Sequence, residues 1–69
     1  MQIRIELALN TEIYSEDKIN QVQTVYREYA IITKKLVDQY WILKFDNCRY
    51  DESLTIKEFE NYLIGLENL

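Results

Sequence analysis

The chain has no histidine and no proline, and only one cysteine and one glycine. Each absence removes a class of chemistry. Without histidine there is no Ser-His or Cys-His nucleophile pair. The same absence takes away a common zinc ligand, and the remaining cysteine and carboxylates are not clustered as a metal site needs. Cys48 alone cannot form an internal disulfide. Gly65 alone cannot build a glycine-rich phosphate loop. Positive charge is also scarce: the formal net charge is -4, and Lys34-Lys35 is the only basic pair. Generic nucleic-acid binding needs several clustered phosphate contacts, so no nucleic-acid partner is expected. Anionic membrane surfaces are disfavoured for the same reason, and no apolar run approaches the roughly 20 residues of a membrane span. The N-terminal residues alternate polar and apolar, unlike a signal peptide. With a lone thiol, this sets the expectation of a cytoplasmic protein. No catalytic residue, metal or cofactor is expected, and the chain is read as a non-enzyme.

Hydrophobic residues are plentiful. They make up 48% of 69 residues, with six tyrosines, two phenylalanines and a tryptophan, which argues against disorder. The length allows one domain, residues 1–69. A domain of this size buries only about 60% of its unfolded surface. Without disulfide or metal, its stability must come from good packing or from a partner.

Met1 to Ile13 alternates with period two. Ile3, Ile5, Leu7, Leu9 and Ile13 fall on one side, and Gln2, Arg4, Glu6 and Asn10 on the other, the pattern of a half-buried strand. Ser15 then reads as a helix N-cap, with Glu16 and Asp17 in the acidic first turn and Tyr14 and Ile19 at staple spacing. Ile19, Val22, Tyr26 and Tyr29 recur at helical intervals, placing a helix at about residues 16–29. Ile31 to Val37 and Tyr40 to Cys48 are β-branched and aromatic, as strands are. Asp38-Gln39 between them reads as a tight hairpin turn, although the glycine that a type I′ turn prefers is missing. Near its start the second run is apolar on both faces, which marks a central strand or one covered from outside. Thr55 and Glu58 match a capping box, with Leu54 and Phe59 at staple spacing around it. Phe59, Tyr62, Leu63 and Leu66 then form an apolar helix face, and Gly65 marks a place for the helix to fray or end.

The predicted class is α+β, in the order β-α-β-β-α. A three-stranded, mostly antiparallel sheet of order 1-3-2 carries both helices on one face, the split arrangement also used in ferredoxin-like folds. Its expected core is Ile3, Ile5, Leu7, Ile19, Val22, Tyr26, Trp41, Leu43, Phe45, Phe59, Leu63 and Leu66. Cys48 reads as a partly buried strand-end residue, and Asp46, Asn47, Asp51 and Glu52 as a solvated connection rather than a calcium loop. Glu58 reads as a capping residue rather than a general base. Tyr26, Tyr29 and Tyr62 read as the edge of the core, with their hydroxyls in water. Tyr40 and Ile42 are candidates for an exposed contact face.

Three stretches resemble the His-Xaa-Ser system protein HxsD family. Ile13-Tyr14-Ser15 leads into the first helix, where Val25-Tyr26-Arg27 looks like the family's alanine-tyrosine-arginine stretch. Two strands follow. The end, from Glu58-Phe59-Glu60-Asn61-Tyr62 to Leu69, looks like its closing helix. The likeness runs from about Leu7 to the end; Val25 replaces the alanine and the closing arginine is missing. The resemblance implies a small protein encoded beside radical S-adenosylmethionine enzymes that modify peptides, acting as accessory subunit, peptide-recognition element or substrate. The iron-sulfur cluster would then belong to the partner enzyme, since one cysteine cannot ligate it.

The residues and the resemblance together lead to a non-catalytic accessory or peptide-recognition subunit. It would bind a protein or peptide partner by β-augmentation or through its open sheet face. Lys34 and Lys35 blunt the second strand, which leaves the first, with Arg4, Glu6 and Leu7, as the docking edge. The competing reading is a homodimeric, antitoxin-like regulator packed through Tyr40 and Ile42. A toxin-like nuclease has the least support, since acid-base residues are not grouped and no basic groove is evident.

Overall fold

A computed structural model of the chain describes residues 5–69. Five elements follow one another: β1 (Glu6–Asn10), α1 (Glu16–Tyr26), β2 (Ile31–Val37), β3 (Tyr40–Asp46) and α2 (Glu52–Glu67). The strands form one antiparallel sheet in the order β1-β3-β2, as the sequence predicts. The run that is apolar on both faces, β3, takes the centre.

The register fixes the faces. Leu7 lies opposite Leu43 and Leu9 opposite Trp41, while Ile32 lies opposite Phe45. These side chains share the face that α1 and α2 cover. Leu9, Ile19, Val22, Ala30, Leu43, Phe45, Phe59 and Leu63 are buried there. Leu7, Tyr14, Tyr26, Ile32, Trp41, Cys48, Ile56 and Leu66 pack around them. Phe45 and Phe59 meet edge to face, with ring centroids 5.2 Å apart, and join the sheet to α2. Each fully buried ring of this kind contributes about 1.5–3 kcal/mol relative to exposure. Of the expected core, Ile3 lies outside the described residues.

Several boundaries differ from expectation. The first strand ends at Asn10 instead of running to Ile13. The Asn10 side chain accepts a hydrogen bond from Glu12 N–H at 2.8 Å, and its carbonyl accepts from Ile13 and Tyr14. This asparagine-centred turn competes successfully with further pairing, and Ile13 points to solvent, 64% exposed. Helix α1 stops at Tyr26 rather than 29, because the N–H groups of Tyr29 and Ala30 both turn back to the Tyr26 carbonyl. Strand β3 ends at Asp46, where Asn47 takes a positive φ of 52° and bends the chain away before Cys48.

The start of α2 corrects the capping-box reading. Asp51 is the N-cap, its carboxylate accepting from Leu54 N–H at 3.0 Å. Thr55 sits one turn inside the helix, buried, its hydroxyl donating to the Asp51 carbonyl at 2.9 Å. Asp is as good an N-cap as Thr and adds its charge to the positive end of the helix dipole. Starting there gives a buried hydroxyl a partner four residues back. Leu54, expected as a staple, is instead 52% exposed. Gly65 does not end the helix, which continues to Glu67. At the other helix, Ser15 is the N-cap of α1 but its hydroxyl turns away. Both its N–H and its Oγ donate to Glu67 Oε1, at 2.8 and 3.2 Å.

The β2–β3 loop has two residues, as predicted. Asp38 takes φ 54° and Gln39 does not share the positive sign. A positive φ at the first loop position alone is the sense of a type II′ turn, where glycine is usual.

Candidate functional site: the two sheet edges and the open face

Hydrogen-bonded and non-hydrogen-bonded pairs alternate along antiparallel strands. Phe45 N–H donates to Ile5 O at 2.8 Å, and Thr11 N–H to Gln39 O at 2.9 Å. Odd residues of β1 therefore direct their backbone groups at β3. Glu6, Ala8 and Asn10 direct theirs outward, to the free edge. Asn10 O is taken by the turn that follows, so among the described residues the amides and carbonyls of Glu6 and Ala8 have no backbone partner and form the centre of the edge.

The β2 edge is built differently. A two-residue loop makes Val37 and Tyr40 a hydrogen-bonded pair, so Ile32, Lys34 and Leu36 face outward with their backbones. Gln23 of α1 reaches over and donates its side-chain N–H to Ile32 O at 3.2 Å. The Lys34 side chain lies on the helix-covered face. Its ammonium is 2.9 Å from Glu16, hydrogen-bonds Asn20 Oδ1, and stands 4.8 Å from the centroid of the Trp41 ring. An inward-pointing charge on an edge strand is a known way to discourage added strands, because a docking strand would have to bury or displace it. Lys35 is on the opposite face, exposed. The two lysines thus flank β2 on both sides.

The face away from the helices carries Ala8, Tyr40, Ile42 and Val37 as register neighbours. Tyr40 is 45% exposed and Val37 40%, while Ile42 is half-buried between its neighbours. Glu6 and Lys44 stand opposite each other at the far end of the same face. Of the residues singled out from sequence, Glu6, Tyr40 and Ile42 therefore share this face. Leu7 points to the core side, its backbone paired with Leu43. Arg4 lies outside the described residues. Ala8, which alternation alone does not single out, stands at the junction of bare edge and apolar face.

Cys48 is half-buried in the loop after β3. Burial pushes its thiol up, and Glu52, Asp46 and Asp51 add to the shift. That is the reverse of what an activated nucleophile needs. The Glu67 carboxyl is held below its usual range by the Ser15 backbone N–H, with further help from the Ser15 hydroxyl and from Lys18 at 3.7 Å, against some desolvation. Among the described residues no group of three or more carboxylates and cysteine is placed to hold a metal ion, and no helix is long and apolar enough to cross a membrane. No family model, curated protein or solved structure matches the chain.

Proposed function

We propose that this protein is a non-catalytic accessory or peptide-recognition subunit of a radical S-adenosylmethionine peptide-modification system, docking its partner along β1. The observation that carries the docking mode is the contrast between the edges. Among the described residues β1 offers N–H and C=O groups of Glu6 and Ala8 without backbone partners, beside an apolar patch, whereas β2 is guarded by Gln23, Lys34 and Lys35. An extended segment added to β1 gains main-chain hydrogen bonds, and the Ala8–Tyr40–Ile42 face supplies contacts for its alternate side chains. The likeness to the HxsD family names the enzyme class. In that setting the chain works in the cytoplasm, carries no cofactor, and leaves the iron-sulfur chemistry to its partner.

The test is a tagged pull-down from the native host, with wild type and Ala8→Pro side by side. Proline at position 8 removes an outward N–H. Expected is a radical S-adenosylmethionine enzyme or its peptide substrate in the wild-type eluate, lost with Ala8→Pro. Equal recovery with both variants rejects the β1 edge. Recovery of the protein alone rejects the partner class.

The exposed pair Tyr40 and Val37 favours one other reading, a homodimer packed through the open face. It requires a stable dimer in the purified protein that Tyr40→Glu dissociates, as read by sedimentation.

A further inference from the structure

On the helix side, away from the β1 edge and the open face, a cleft of about 380 Å³ opens between the end of α1 and the stretch of α2 from Thr55 to Tyr62. It is lined by Val25 and Tyr26 from α1, Tyr29 from the turn after it, Tyr50 from the loop before α2, and Thr55, Glu58 and Tyr62 from α2. Glu58 and Tyr62 are four residues apart, so one face of α2 presents both. The rings form a continuous chain. Tyr26 meets Tyr29 at 5.8 Å and 63°, and Tyr62 at 6.2 Å and 85°. Tyr29 meets Tyr50 at 6.0 Å and 40°.

Core packing accounts for Tyr26, which lies against Phe59 at 5.6 Å, but not for the other three rings, since Phe59 and Thr55 are already buried beneath. Tyr29, Tyr50 and Tyr62 remain 37%, 60% and 45% exposed around the opening. Among the described residues the sole charged residue of the lining is Glu58, with no lysine or arginine there. Tyrosine rings and one carboxylate lining the same cleft are groups that attract a cation, through ring quadrupoles and a full charge. An anion would meet the Glu58 charge. Burial, and next the Glu58 charge, push the Tyr26 phenol up, consistent with a site that disfavours added negative charge. The opening is wide and its rim partly exposed, which suits a side chain entering from a larger molecule.

We propose that the Tyr26–Tyr29–Tyr50–Tyr62 cleft, with Glu58 at its wall, is a binding site for the cationic head of an arginine or lysine side chain on a peptide. This stands apart from docking at β1 and does not depend on it.

The test is an NMR titration of the full chain with N-acetyl-arginine methylamide and N-acetyl-lysine methylamide, against the neutral N-acetyl-norleucine methylamide. Expected are saturable shifts of the four tyrosine rings with the cationic probes, with a Kd of roughly 1–10 mM for so small a ligand. Glu58→Gln and Tyr50→Ala should each weaken binding by about two- to fivefold, the range of one exposed ion pair and of one exposed cation–π contact. Both side chains are exposed, and an unchanged amide spectrum verifies the fold. Ala8→Pro should leave the affinity as it is, which separates this site from the edge. No saturable shift with either cationic probe, equal binding of norleucine, or unchanged affinity in Glu58→Gln overturns the proposal.

Discussion

Proline at two adjacent positions of β1 should have opposite consequences. Ala8 lies opposite Ile42 in a non-hydrogen-bonded pair, exposed, with its N–H leaving the sheet. Ala8→Pro therefore breaks no ladder bond, and proline is tolerated on edge strands where the N–H faces solvent. Fixing φ near the proline value should cost no more than about 1 kcal/mol. Leu9, by contrast, is 1% exposed, and its backbone is paired with Trp41. Leu9→Pro loses a ladder bond with a net value of about 0.5–1.5 kcal/mol. It also removes packing from a buried leucine site, where large-to-small changes cost about 2–5 kcal/mol. Together these reach about 3–6 kcal/mol, against a total of roughly 3–10 kcal/mol for a chain of this length. Urea denaturation followed by Trp41 fluorescence reads the difference. Ala8→Pro should lower the midpoint by about 1 M or less, at an m-value of about 1 kcal/mol/M. Leu9→Pro should be unfolded or nearly so without urea. Amide exchange in the wild type should show the same alternation, with Leu7 and Leu9 protected and Glu6 and Ala8 fast. A folded Leu9→Pro beside an unfolded Ala8→Pro would mean that the register is displaced by one residue, which exchanges the two faces of β1, and the edge argument would collapse.

Asp38→Gly should stabilise the hairpin by about 0.5–1 kcal/mol, since φ 54° suits glycine better than aspartate. Gly65→Ala, on an exposed helical position with open space around it, should contribute about 1 kcal/mol. Either change should lift Tm by about 2–8 °C, and a fall in Tm would contradict the backbone conformation described there. Glu67 has a lowered pKa in the folded state, so its stabilisation is present above the unfolded value and is lost as pH falls through the folded one. Glu67→Gln should thus lose less stability than wild type on acidification from about pH 5 to 3, and parallel pH profiles would remove the Ser15–Glu67 link. Cys48, with its thiol pushed up, should react with iodoacetamide several-fold more slowly at neutral pH than cysteine in an unstructured peptide, and equal rates would contradict the burial.

The sheet order was legible because Tyr40, Trp41 and Ile42 in succession leave no polar face at the start of β3, and such a strand belongs in the middle. The core pattern followed from periods of two and of three to four. Helix starts were harder. Thr55 and Glu58 satisfy the spacing of a capping box, but Asp51, one turn earlier, offers an equally good cap, and the choice is decided by burying Thr55, a tertiary effect. Ile13 continues the alternation by spacing alone, while the Asn10 turn overrides it. The edge asymmetry was only half legible. Two lysines in β2 signalled blunting, yet the inward path of Lys34 to Glu16 and Asn20 depends on where α1 packs. The tyrosine cleft was partly legible: Tyr26, Tyr29 and Tyr62 read as the edge of the core and lie there, while Tyr50 joins them only through the folded loop before α2. Glu58 read as a cap, and its place in the cleft is likewise set only in the folded chain.

Lys34 has a consequence for stoichiometry. A sheet with two open edges has a valence of two, and strand addition can then propagate from copy to copy without closure. Here one edge carries the Gln23 hydrogen bond to Ile32 O and an inward ammonium, which disfavour an added strand there, so strand addition is biased toward the β1 edge. If a strand joins β1 as proposed, this bias favours a closed pair, one partner per protomer, over a growing series. On that reading Lys34 bears on how many molecules assemble through the sheet, whichever molecule the partner is.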